Sequence, residues 1–136
     1  MRHCLQWLEE RDLLDDETFA QAHSRDRLRF SPRSPFLLKR ELTKKGVRAS
    51  LAVEVIERVF EEEGVGPVDL AVQAATGWVK RQSPRTRAAL LAKRFSPERE
   101  KVRRRLYGFL ARRGFKGDEA RRGMEAGEEE ARELEE

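Results

Sequence analysis

The sequence predicts an all-α protein, and three observations carry that expectation. Leu, Ala, Arg, Lys and Glu fill long stretches with few β-branched runs, which favours helix over strand. Leucines recur four apart, as Leu38 with Leu42 and Leu106 with Leu110, so each pair shares one helix face. Ser-Pro pairs and basic-basic-Gly triplets punctuate the chain where helices should start and stop.

Residues 2–12 are expected as a first helix. Asp15 or Asp16 is expected to cap a second that runs to about Phe30, with acids in its first turn as the helix dipole prefers. Ser34-Pro35 supplies a cap and a first-turn proline for a helix ending at Lys45. A third runs from about Ser50 to Glu62, with Ala52, Ile56, Val59 and Phe60 on one face. "GVGP" at 64–67 reads as the linker. Helices near 68–81, 86–94, 97–113 and 117–132 follow, Ser96-Pro97 again reading as cap and first turn. The last contains Gly123, Gly127 and a glutamate cluster at its negative end, so fraying is expected there.

Two phrases, "LTKKGV" at 42–47 and "LARRGF" at 110–115, repeat one design. With Gly46 set on Gly114, Leu38 falls on Leu106, Leu42 on Leu110, Val47 on Phe115 and Ile56 on Met124. In each copy a glycine suited to a left-handed residue ends the helix. Two cations complement its negative end, and a bulky residue follows to pack back. Upstream the register shortens: "FAQAH" at 19–23 falls on "LAVQA" at 70–74, and Leu5 and Leu8 fall on Ile56 and Val59. The difference is an insertion around "RTRAALLAKRFSPEREK". The repeating unit is therefore three helices, present as two copies after a leading fragment.

Charged residues make up 40% of the 136 residues, against about a quarter in an average domain. The mean hydropathy is −0.78. The net charge of +4 is strongly segmented. Residues 24–48 carry nine basic and two acidic side chains, and residues 79–113 carry thirteen and two. The three flanking blocks are acidic. Neither an apolar run of spanning length nor a signal-peptide core is visible, and the single cysteine, Cys4, closes no internal disulfide. A cytoplasmic protein is expected.

No catalytic constellation appears. His3 and His23 have only Cys4 nearby as a soft ligand, so no metal site is expected, and no cofactor. Asp15 and Asp16 are sequence neighbours, which do not face each other on a helix, and capping explains them better than catalysis. "GVGP" lacks the lysine of a phosphate loop. An enzyme is not expected. Trp7, Trp78 and Phe95 read as core or junction residues; only Phe95, beside Lys93 and Arg94, has the setting of a base-stacking side chain. The basic stripes can neutralise phosphates or meet an acidic protein surface.

"LLDDETFA", then "LLKRELTKKGV", then "FLARRGF" resemble, in order and spacing, the RecX family of recombination regulators. The resemblance spans roughly residues 5–124. It implies a cytoplasmic bacterial protein of tandem three-helix modules, stacked as a short elongated solenoid. Residues 1–13 would be the last helix of a partial first module, 14–63 the second module, and 64–136 the third with an insertion and an acidic tail. The function implied is binding to the RecA recombinase filament and restraint of its activity in DNA repair, recombination and the SOS response. The contact candidates are Arg25, Arg29, Lys44, Lys45, Arg104, Arg105, Arg112 and Arg113, with DNA in or near the filament as a further partner and a monomer as the expected state. The alternatives are a helical module that binds DNA directly, and a helical scaffold for another acidic protein. The acidic tail reads as a solvated helix, or else as a shield over a basic band.

Overall fold

The computed structural model describes residues 2–136, leaving aside the side chains of residues 2–5 and 8. Leu5, Leu8, His3 and Cys4 therefore lie, as side chains, outside the described residues. Among the described residues there are seven helices and no strand: α1 (Arg2–Phe30), α2 (Pro35–Lys44), α3 (Ala49–Glu63), α4 (Pro67–Lys80), α5 (Pro84–Leu90), α6 (Pro97–Arg112) and α7 (Gly117–Glu135). They divide into two compact units. The first runs to Ser31 and resumes over Pro35–Val65; the second takes Pro32–Ser34 and Gly66–Glu136.

The first unit holds α1, α2 and α3. Its core is built from Ala20 and Leu28 of α1, Leu38 and Leu42 of α2, and Ala52, Val55, Ile56, Val59 and Phe60 of α3, with Val47 between. Each large apolar side chain buried here contributes about 1.5–3 kcal/mol. In the second unit α4, α6 and α7 repeat the plan, and α5 lies in the insertion. The repeat seen in the sequence is realised atom for atom at its joint. Val47 N–H donates to the Leu42 carbonyl, and Phe115 N–H to the Leu110 carbonyl, each at 3.0 Å. Gly46 (φ 100°) and Gly114 (φ 87°) take the left-handed conformation that this closing bond requires. The residue after each glycine is buried, as are Leu38, Leu42, Leu106 and Leu110.

Capping follows the sequence at two of the Ser-Pro pairs. Ser83 Oγ accepts from Thr86 N–H at 3.2 Å and Ser96 Oγ from Arg99 N–H at 3.4 Å, each cap adding about 1 kcal/mol. Helix α5 therefore opens at Pro84, before the expected start near residue 86, and stops at Leu90, short of residue 94. The Asp69 carboxylate accepts from Gly66 N–H at 2.8 Å and fixes the start of α4.

Three expectations are corrected. The chain from 2 to 30 is one helix, so Asp15 and Asp16 sit mid-helix and cap nothing. "DLLDDETF" contains neither Gly nor Pro to break the ladder, and adjacent acids alone do not stop a helix. Trp7 is 57% exposed, with Arg11 5.3 Å from its ring; among the described residues of α1 the first buried one is Ala20. Helix α7 continues to Glu135 with Ala131 fully buried, where a helix near 117–132 prone to fraying was expected.

The reason α7 holds is tertiary. Gly123 and Gly127 are its points of closest approach, where α4 and α6 press against it. A Cβ at Gly123 would stand 3.0 Å from Leu110 Cδ1 and 3.2 Å from the Ala71 carbonyl oxygen. One at Gly127 would stand 2.9 Å from Leu106 Cδ2 and 3.4 Å from Val79 Cγ2. In the first unit the positions corresponding to these glycines are Val55 and Val59. Gly123→Ala is expected to lower stability by about 1–3 kcal/mol through overpacking, because a backbone carbonyl cannot yield. Gly108→Ala should raise it by up to about 1 kcal/mol, since its Cβ would meet only the end of Arg112 at 3.4 Å. Thermal unfolding of the two variants reads the opposite signs.

Candidate functional site

The second unit carries an open cleft of about 740 Å³ between α6, α7 and the turn before α6. Five arginines line it: Arg94, Arg99, Arg103, Arg104 and Arg121. Glu100, Glu125 and Glu128 also line it, so the formal charge of the lining is positive. A concave surface biased to one sign concentrates its field and favours anions.

Helical spacing assembles this wall. Arg99 and Arg103 are four apart on α6, and both reach Glu128 of α7; Arg99 does so at 3.3 Å. Glu128 is 17% exposed. Arg99 Nε is buried with no hydrogen-bond partner. Arg121 is held by Asp118, and by Glu125 at 3.5 Å. The hydrogen bond from Arg121 holds the Asp118 carboxyl below its ordinary range against the opposing effect of desolvation, and Asp118 in turn raises Arg121. Arg104 is exposed.

Two aromatic side chains complete the lining, Phe95 and Tyr107, 76% and 53% exposed. Phe95 also has φ 66°, a left-handed conformation that costs a non-glycine residue about 1–2 kcal/mol. It precedes the Ser96 cap, where an apolar residue commonly packs against the fourth helical residue. That residue here is Glu100, so the ring stays in solvent, with Arg94 5.1 Å from its centre. This corrects the expectation of Phe95 as a core or junction residue. Trp78, by contrast, is 8% exposed, with Arg105 5.8 Å from its ring.

Of the eight candidates from the sequence, Arg104 alone is among the residues named above in the cleft wall. Arg25 and Arg29 are joined to the end of α3. Arg25 pairs with Glu62 at 2.5 Å and lies 4.0 Å from Glu63, and Arg29 pairs with Glu63 at 3.0 Å. These pairs offset three glutamates placed at the unfavourable end of that helix. Lys44 and Lys45 are exposed at the end of α2. Arg112 is exposed at the end of α6, and Arg113 lies 5.1 Å from the Phe109 ring. Arg94, Arg99, Arg103, Arg121 and Tyr107 were not singled out by sequence. The spacing of Arg99 and Arg103 was a readable signal; the approach of α7 was not.

The acidic tail is partly engaged, since Glu128 meets Arg99 and Arg103, and Glu130 lies 3.8 Å from Lys80. Among the described residues no group of three His, Cys, Asp or Glu side chains is placed to hold a metal. His23 lies 3.5 Å from Glu41. No helix among the described residues is long and apolar enough to cross a membrane.

Residues 15–56, from mid-α1 through α2 into α3, match the family model described as RecX, second three-helix domain. That stretch of the chain is similar to the second three-helix domain of RecX proteins. No curated protein and no solved structure matches it significantly. The RecX match lies in the first unit, and the joint it contains at Gly46 recurs at Gly114 in the second. Replacing Glu62 and Glu63 together by Gln releases Arg25 and Arg29. Because these pairs are substantially exposed, the double variant should lose less than about 1 kcal/mol, measured by denaturant unfolding.

Proposed function

We propose that this chain is a RecX-type regulator that binds a RecA recombinase filament and restrains its ATPase and strand-exchange activity. The observation that carries the reading is the RecX second three-helix domain at residues 15–56. The charge distribution supports it: exposed cations stand at the ends of α2 and α6, at Lys44, Lys45 and Arg112. Paired with the repeated joint at Gly46 and Gly114, they give similar basic ends to two helices of similar design. A filament is itself a repeated target that contains DNA, and basic helix ends can meet either acidic protein surface or phosphate.

The role proposed is non-catalytic and soluble, in the compartment where the filament forms. A direct DNA-binding module without a recombinase is separated from it by the same experiment. Filament, free single strand and free duplex are each offered to the protein at two salt concentrations, with ATPase and strand exchange followed alongside. Binding to the filament with slowed ATPase supports the reading; indifference to the filament, with both activities unchanged, overturns it. Lys44→Gln with Lys45→Gln, and separately Arg112→Gln, should weaken filament binding by about two- to tenfold at low salt, the loss shrinking as salt rises.

A further inference from the structure

The cleft of the second unit has a composition that a generic basic surface does not. Simple attraction to polyanions is served by lysines and arginines in solvent and has no use for exposed aromatic rings. Here two rings, Phe95 and Tyr107, stand among five arginines, and one of them is kept both exposed and in a left-handed backbone conformation. Strain held at an exposed apolar residue costs stability twice, and such residues concentrate at ligand sites. A ring that offers a face beside guanidinium groups suits a ligand carrying both a flat π-surface and phosphates.

We propose that this cleft binds single-stranded nucleic acid, an unstacked base resting on Phe95 and the adjoining phosphates on the α6 arginines. The inference does not rest on the recombinase reading, and it is tested on the free protein. Duplex fits less well, because its base faces are stacked inside the helix and only its phosphates are offered. Arg104 is exposed and available to a phosphate. Arg99 and Arg103 are held by Glu128, which occupies the position an incoming phosphate oxygen would take. The buried, unpartnered Arg99 Nε leaves one further donor in the same wall. Glu128 therefore acts as a built-in competitor: the strand must displace a carboxylate to reach both arginines.

Two variants test this with opposite signs. Phe95→Gly removes the ring and also relieves the left-handed strain, so its unfolding temperature should be no lower than that of the unmodified protein. Its affinity for an oligo-dT single strand, read by fluorescence anisotropy, should nevertheless fall by about tenfold or more. A duplex of equal length should lose no more than about twofold. Glu128→Gln should bind the single strand about two- to fivefold more tightly. Thymidine triphosphate and a poly-glutamate peptide are the comparison ligands. Weak binding of both, unchanged by Phe95→Gly, agrees with a strand site. The proposal is overturned if Phe95→Gly binds oligo-dT as well as the parent does, or if Glu128→Gln binds it no better. Tighter binding of the triphosphate would assign the cleft to a free nucleotide instead. Tighter binding of the peptide, lost in Phe95→Gly, would assign it to an acidic protein segment.

Discussion

The second unit depends on one contact, the backbone-close approach of α7 to α4 and α6 at Gly123 and Gly127. With hydrogen atoms in place of side chains, α7 comes close enough for Leu106 and Leu110 of α6 to fill the space over its glycines. Ala71 and Ala75 on α4 are small for the same reason, and both are fully buried. The first unit meets the same requirement differently. Its first helix contributes Ala20 and Ser24, at the positions matching Ala71 and Ala75, while its third keeps Val55 and Val59. One plan is thus tuned at a single layer of side chains. Only in the second unit are both facing helices reduced to small residues. The consequence reaches the cleft, because the placing of α7 delivers Glu128 to Arg99 and Arg103.

The joints at Gly46 and Gly114 were legible in the sequence because a helix end is encoded locally. A leucine, two cations, a glycine and a bulky residue specify a left-handed stop and the closing bond to the leucine carbonyl within six positions. The helix start at Ser96 is local in the same sense. What failed was each inference in which a local preference had to hold against a wider one. Adjacent acids at 15 and 16 suggest a cap, but nothing nearby breaks the helix that carries them. Gly123 and Gly127 weaken an isolated helix, yet the packing they allow holds α7 together. Phe95 looks like a core residue by composition, and its exposure follows from having Glu100 where a packing partner would stand.

The charge bands were legible as bands, while their purpose required the fold. Part of the first basic band meets the acidic end of α3, through Arg25 and Arg29. Part of the second meets α7. Acids on the third helix of each unit thus pair with bases on its other helices, and the alternation along the chain becomes cohesion within a unit. Lys44, Lys45, Arg104 and Arg112 are among the cations left exposed.

Glu128 sits at the boundary between those two uses of charge. As an internal partner it contributes modestly, since pairs near a surface are worth at most about 1 kcal/mol. As an occupant of the cleft it is one carboxylate set against two guanidinium groups, so the wall keeps a net positive field. A ligand with several linked phosphates needs to displace it only once, while gaining contacts at Arg104 and Arg94 that Glu128 does not make. A single anion gains little by the exchange; a strand gains more with each phosphate it places. The arrangement therefore favours a polyanion over a small ion, and the two exposed rings narrow that preference to one whose bases are free to stack.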